Sequence, residues 1–244
     1  MKILILGGTA EARDLATALA GMGHEVTTSL AGRTRDPKLP EGSEVRTGGF
    51  GGVDGLAAYL KVEGFQRLVD ATHPYAVEIS RNAASAAEAT GIPLVRLTRP
   101  AWVEPQYAFW KHAVDFDAAA KLLPPGARAL LTIGHRGLEP FLARTDCTFL
   151  IRSIEPPEML PAHCWSIQSR PPYYLTQETD LMRGERISHL VTKNSGGAQT
   201  EAKLKAAQNL GLSIVVIRRP EKPKVTEATT LGRCVAALKL NRLT

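Results

Sequence analysis

The sequence predicts an α/β protein built of two doubly wound parallel-sheet domains, and three observations carry that prediction. The first is a glycine turn between a short apolar run and an amphipathic segment, Leu6-Gly7-Gly8-Thr9-Ala10-Glu11. The second is an alternation of strand and helix along the chain, which demands a parallel sheet with right-handed crossovers. The third is a weak internal repeat at an offset of 120 residues. Setting Gly91 on Gly211 brings Thr72 onto Thr192, Ala86-Ala87 onto Ala206-Ala207, Val95 onto Val215 and Arg99-Pro100 onto Arg219-Pro220.

Ile3 to Leu6 is an unbroken apolar stretch, suited to a strand buried on both faces. Gly7 and Gly8 follow where a tight turn tolerates no side chain. Thr9 can then cap a helix whose apolar positions Ala12, Leu15, Ala16, Leu19 and Ala20 recur at helical spacing. Gly21-Met22-Gly23 stops that helix, and His24 to Ser29 reads as the second strand. Glu44 to Thr47 is a third strand, Gly48-Gly49-Phe50-Gly51-Gly52 a flexible glycine cluster and Val53 to Val62 a helix. Leu68 to Ala71 is a strand leading into Thr72-His73-Pro74-Tyr75. An alanine-rich helix from Ala76 to Thr90 stops at Gly91, and Leu94 to Leu97 is the next strand.

Prolines and aromatics break the rhythm from Arg99 to about Lys111, which places an interdomain connection there and predicts domains over 1–100 and 101–244. The alternation then restarts with a helix over Ala113 to Leu123. Strands are predicted at Arg128 to Ile133, Thr148 to Arg152, Trp165 to Ser169, Ile187 to Thr192 and Ile214 to Ile217. Helices are predicted at Thr176 to Arg183, Glu201 to Leu210 and Ala228 to Leu240.

Composition narrows the function classes. No apolar run approaches the roughly 20 residues of a membrane span, and the chain goes straight into a strand without a secretory leader. Cys147, Cys164 and Cys234 stand far apart, which argues for a reducing cytoplasm and against disulfides or a zinc site. The six histidines lack metal-ligand spacing, so no metal is expected. The formal charge of +6 favours an anionic partner, yet the basic residues form no run and no nucleic-acid motif is present. A small polyanion fits that balance.

Ligands of open parallel sheets bind beyond the carboxyl ends of the strands. In the first half those ends carry Gly7, Gly8, Thr9, Ser29 and Thr72, which read as cofactor-binding, with His73 and Tyr75 as candidate catalytic residues. An NAD site places a carboxylate about 20 positions after the glycines. Here Ser29, Arg33 and Arg35 stand there with no carboxylate before Asp36, so NADP(H) is favoured, with Arg33 on the 2′-phosphate. Thr72-His73-Pro74 also fits a helix start, with Thr72 as cap and Pro74 at the first helical position. In the second half the ends carry Gly134, His135, Arg136, Arg170, Lys193, Asn194, Ser195 and Gly196, a donor-rich set suited to several carboxylates. Asp70, inside a strand, reads as structural. The two sets are expected to face each other across a cleft, bringing a dihydronicotinamide against a polyanionic substrate.

Three ordered segments then carry a family resemblance. Ile5-Leu6-Gly7-Gly8-Thr9 with Glu11-Ala12-Arg13, Asp70-Ala71-Thr72-His73-Pro74-Tyr75-Ala76, and Thr192-Lys193-Asn194-Ser195-Gly196-Gly197 together resemble the precorrin-6A reductase family of cobalamin (corrin) biosynthesis. Arg170-Pro171-Pro172-Tyr173 departs from a loop the family usually writes Arg-Gly-Pro-Phe. The resemblance implies two Rossmann-like domains, with strands exchanged between them. It also implies NADPH as cofactor, a tetrapyrrole substrate and reduction of one double bond of the precorrin-6A macrocycle to give precorrin-6B. The same reductase acting on cobalt-precorrin-6A, a non-catalytic NADP(H)-sensing regulator and a uroporphyrinogen-III synthase-like cyclase are the alternatives. The sequence leaves the oligomeric state open and is compatible with a monomer.

Overall fold

A computed structural model describes residues 1–32 and 37–240 and divides the chain into two units. The first unit begins with β1 (Lys2–Leu6), α1 (Ala10–Gly21), β2 (Glu25–Leu30), β3 (Glu44–Thr47) and α2 (Val53–Val62). It continues with β4 (Arg67–Asp70), α3 (Val77–Thr90) and β5 (Leu94–Leu97). The second unit holds β6 (Trp110–Ala113), α4 (Phe116–Lys121), β7 (Arg128–Thr132), α5 (Glu139–Leu142), β8 (Thr148–Ser153) and β9 (Cys164–Gln168). After these come α6 (Leu175–Gly184), β10 (His189–Lys193), α7 (Ala202–Asn209) and β11 (Ser213–Ile217). The chain then returns to the first unit with β12 (Thr226–Ala228) and α8 (Leu231–Leu240).

Each unit holds one six-stranded, all-parallel sheet, in the order β3-β2-β1-β4-β5-β12 in the first and β9-β8-β7-β10-β11-β6 in the second. Both have the doubly wound order, in which the winding reverses between β1 and β4 in the first unit and between β7 and β10 in the second. Strand β1 shows why such a sheet needs a continuous apolar run. Ile3 and Ile5 pack under α1 and α8 on one face, while Leu4 and Leu6 pack under α2 and α3 on the other. All four are at most 1% exposed, and each such burial is worth about 1.5–3 kcal/mol. Small residues let the helices sit close: Ala83 and Ala86 in α3, like Ala206 and Ala207 in α7, are fully buried. Gly91 ends α3 in the left-handed conformation that favours glycine.

The two copies of the repeat correspond in topology, β4 to β10 and β5 to β11, but their sixth strands are exchanged. The segment after β5 supplies β6 to the second sheet, against β11. The segment after β11 supplies β12 to the first, against β5. The expected second domain over 101–244 is therefore corrected: the chain from Pro220 onward belongs to the first unit. Two local expectations change with it. The helix expected from Ala113 is shorter, over Phe116–Lys121, because Trp110 and Ala113 form a buried edge strand while Lys111 and His112 face solvent. The last helix starts at Leu231, since Ala228 ends β12.

Candidate functional site

The glycine turn sits at the carboxyl end of β1, the central strand of the first sheet. The Gly7 N–H donates to Ser29 O at 2.9 Å, which presses the turn against β2. A Cβ on Gly7 would lie 2.9 Å from Thr28 Cγ2, so a larger residue there would force Thr28 to shift. Gly8 adopts φ +103°, while a Cβ at that position would meet no atom within 4 Å among the described residues. The backbone conformation demands glycine at position 8, and the space above it is open. Thr9 caps α1 by accepting from Ala12 N at 3.1 Å, and donates to Ala71 O at 2.8 Å, which ties the start of the helix to the end of β4. Amides at a helix start with space above them suit a phosphate. Glu11 in the first turn of α1 would oppose an anion, but Arg99 Nη1 pairs with it at 2.8 Å. Thr9, Glu11, Thr72, Pro74, Leu97, Thr98 and Arg99 line a small pocket at these strand ends.

The end of β4 is set by a buried charge network. Asp70, with no exposure, accepts from Thr72 N at 3.2 Å and Thr72 Oγ1 at 2.6 Å through one oxygen, and pairs with Arg96 Nε at 3.0 Å through the other. Burial pushes the Asp70 carboxyl up, but Lys222, the Thr72 and Ser80 hydroxyls and Arg96 outweigh it and hold the group below the usual carboxylate range. Arg96 also donates to Pro223 O and Glu227 Oε1, each at 2.9 Å, so β12 and the segment before it are anchored to the same network. Thr72 donates to Asp70 and does not cap α3, which starts only at Val77. Residues 72–76 therefore form a loop over the sheet end. In it His73 Nδ1 accepts from Tyr75 N at 3.3 Å, which puts a neutral ring's proton on Nε2, and Lys222 donates to His73 O at 3.3 Å.

At the end of β2, Ser29 is buried and lies beside Leu6 of β1 on one side and Arg46 of β3 on the other. Arg33 lies outside the described residues. Gly7, Gly8, Thr9, Ser29, Thr72, His73 and Tyr75 thus gather at one end of three adjacent strands, β2, β1 and β4.

In the second unit β7 and β10 are adjacent, so Gly134, His135 and Arg136 come next to Lys193, Asn194, Ser195 and Gly196. Lys193 Nζ donates to Ile133 O and stands 5.1 Å from the centre of the Phe116 ring. Burial, with Arg136 adding repulsion, lowers its pKa to about 8. His135 and Arg136 are exposed. The Asn194 side chain holds both backbone groups of Trp102, accepting from its N–H at 2.8 Å and donating to its C=O at 3.0 Å. Asn194 therefore also braces the start of the second unit. Arg219 donates to Asn194 O at 2.8 Å and Ser195 O at 3.0 Å, holding this loop from below. Arg170 is not part of the cluster: it follows β9 at the sheet edge, 3.9 Å from Glu155. The neighbouring Tyr173 stacks on Arg152 at 3.9 Å, and Arg152 forms a buried ion pair with Glu178. Sequence reasoning missed Arg46, Arg96 and Arg219. Arg46 was visible only as one residue of a predicted strand, and the other two act on segments far away in sequence.

No group of His, Cys, Asp and Glu among the described residues could hold a metal ion, and no described helix is long and apolar enough to cross a membrane. Two doubly wound units, one with a glycine turn open to a phosphate and one with a lysine-centred set of donors, define a two-unit nucleotide-binding α/β protein. The chain belongs to the family described as precorrin-6x reductase CbiJ/CobK, whose family model matches residues 2–239. It is 52% identical over 229 residues to a precorrin-6A reductase of Rhodococcus erythropolis, covering 93% of this chain and 92% of that one. It is 28% identical over 251 residues to a cobalt-precorrin-6A reductase of Priestia megaterium, covering 97% of each. The solved structure of a CobK precorrin-6A reductase superposes with a TM-score of 0.93 at 40% identity, over 100% of this chain and 98% of that one. Membership of a reductase family implies a nicotinamide cofactor.

Proposed function

We propose that this chain reduces one double bond of the precorrin-6A macrocycle with NADPH, giving precorrin-6B in cobalamin biosynthesis. One observation carries the choice of NADPH. Beside the glycine turn the end of β2 presents the Ser29 hydroxyl, with Arg46 in hydrogen-bonding reach at 3.4 Å, where an NAD site would present a carboxylate. The glycine turn fits the group as well, since a Cβ at Gly7 would displace the Thr28 side chain and Gly8 opens onto space. Bound there, NADPH supplies a hydride to a ring carbon, and a proton is added at the carbon beside it.

The positions of the residues support the following roles. Gly7, Gly8 and Thr9 receive the pyrophosphate, and Ser29 and Arg33 the 2′-phosphate. Thr72 fixes the loop that carries His73 and Tyr75, and His73 Nε2–H or the Tyr75 hydroxyl orients the nicotinamide or holds the proton. Gly134, His135, Arg136, Lys193, Asn194, Ser195 and Gly196, with Arg170 at the sheet edge, take the acetate and propionate groups of the tetrapyrrole. Positioning the two reactants and excluding water are the main demands of hydride transfer. The three cysteines are unbridged and buried, which supports a cytoplasmic location.

Cobalt-precorrin-6A is the second reading. Relatives bearing that name are 28–29% identical, against 41–52% for those named precorrin-6A reductase, which favours the cobalt-free substrate. Following NADPH oxidation with precorrin-6A, with NADH in parallel, tests the proposal: turnover with NADPH alone is expected. Tight NADPH binding without turnover would point to the cobalt-bearing substrate or to a sensor. Replacing Arg33 by alanine is expected to weaken NADPH by about 10- to 100-fold, the loss of one or two charged hydrogen bonds, and to spare NADH. Equal weakening of both cofactors removes Arg33 from the 2′-phosphate.

A further inference from the structure

Arg46 lies beside Ser29 at the carboxyl ends of β2 and β3, and its guanidinium is held there by carbonyls and aromatic rings. In the parallel register Leu6, Ser29 and Arg46 stand side by side on β1, β2 and β3, one residue before the glycine turn on β1. The Arg46 side chain reaches back across one strand. Its Nη1 donates to Ser29 Oγ at 3.4 Å and to Gly48 O at 2.7 Å, and its Nη2 donates to Gly49 O at 2.6 Å. The guanidinium lies 4.0 Å from the Phe50 ring centre and 5.2 Å from that of Tyr59. Two carbonyls and two rings therefore fix the fork in one orientation. A fork held in place before binding spends little entropy when it meets a planar array of oxygens.

Such a clamp is not explained by a partner charge. Among the described residues no carboxylate pairs with Arg46, whereas Arg96, Arg99, Arg128, Arg144 and Arg152 each have one. Among the described residues only carbonyls, a hydroxyl and rings surround the positive charge, and three of the five donor hydrogens are used by these bonds. Because the side chain reaches to Ser29, the charge stands about one strand spacing, ~5 Å, to the side of the glycine turn. That offset is within the span of a single sugar attached to a phosphate held at the turn.

We propose that Arg46 is a specificity-determining residue that, with Ser29, grips the 2′-phosphate of NADPH and sets the preference of this chain for NADPH over NADH. The inference rests on the NADPH reading above and adds to it a residue at the far side of β2. It is tested by binding, without turnover. Calorimetric titrations with 2′,5′-ADP, 5′-ADP, NADPH and NADH are run on the wild-type chain, Arg46→Ala and Arg46→Lys. Arg46→Ala is expected to lose about 10- to 100-fold in affinity for 2′,5′-ADP and NADPH, with 5′-ADP and NADH unchanged. Arg46→Lys keeps the charge but not the fork, and is expected to fall between the two. Equal weakening of all four ligands would mean that Arg46 only shapes the Gly48–Gly49 backbone, and overturns the proposal. Unchanged 2′,5′-ADP affinity in both variants overturns it too. A wild-type chain that binds neither 2′,5′-ADP nor NADPH overturns the NADPH reading itself, which is a different result from a variant that binds as well as the wild type.

Discussion

Replacing Asp70 by alanine is expected to lower the stability of the chain by about 3–5 kcal/mol at neutral pH, the range seen when one partner of a buried ion pair is removed. Arg96, only 2% exposed, would keep its charge in the core with Glu227 as its remaining carboxylate. Its Nη2 is already buried without a hydrogen-bond partner among the described residues, so the site has no slack to absorb the loss. The pH dependence has a definite sign. The folded carboxyl titrates below its ordinary value of 3.8, so its contribution is complete above that value and is lost as pH falls through the lower folded one. Urea unfolding of wild type and Asp70→Ala is expected to show the full gap at pH 7 and a narrower one in strong acid. A gap under about 1 kcal/mol at pH 7 would show that Pro223 O and Glu227 suffice for Arg96. The same substitution removes the acceptor of Thr72 N–H and O–H, so the loop bearing His73 loosens together with the core.

This network explains what could and could not be read from the sequence. The β1 run, the glycine turn and the stop at Gly91 are local signals, and each element formed within a residue or two of its expected place. The strand-end sets were legible because a parallel sheet puts all its carboxyl ends on one edge, whatever the details of packing. The exchange of strands was implied only by the family resemblance, and which segments cross was not legible. β6 has four residues and β12 three, and each finds its pairing partner more than a hundred residues away in sequence. A strand that short has no periodicity of its own, and only its partner identifies it. Arg96 belongs to the same class. It looks like a charge interrupting an apolar strand, and only the return of Pro223 and Glu227 reveals why it is buried. Asn194 was legible as part of a donor-rich loop, but its hold on Trp102 depends on where the chain re-enters at residue 102.

Replacing Lys193 by alanine is expected to raise the KM for the tetrapyrrole by about 10- to 100-fold, because a charged hydrogen bond to a carboxylate is worth about 1.5–3 kcal/mol, and to leave NADPH affinity unchanged. The pH profile makes the test specific. Burial and Arg136 bring the Lys193 ammonium to about 8 in the free protein, so the cation that attracts a carboxylate disappears as pH rises through that value. For the wild type, kcat/KM is expected to fall across this range, since that ratio reports the ionisations of the free enzyme. Lys193→Ala should lack the step, and Lys193→Arg should keep its activity above it, because its charge persists. Stability should respond in the opposite sense. Between about 8 and the ordinary lysine value of 10.5 the unfolded chain holds a proton that the folded chain has released, so folding strengthens with rising pH in that window. Substituting methionine at 193 removes the buried charge and is expected to flatten that rise. A loss confined to NADPH binding in Lys193→Ala would instead place the cofactor at the second unit and reverse the roles assigned to the two sheets.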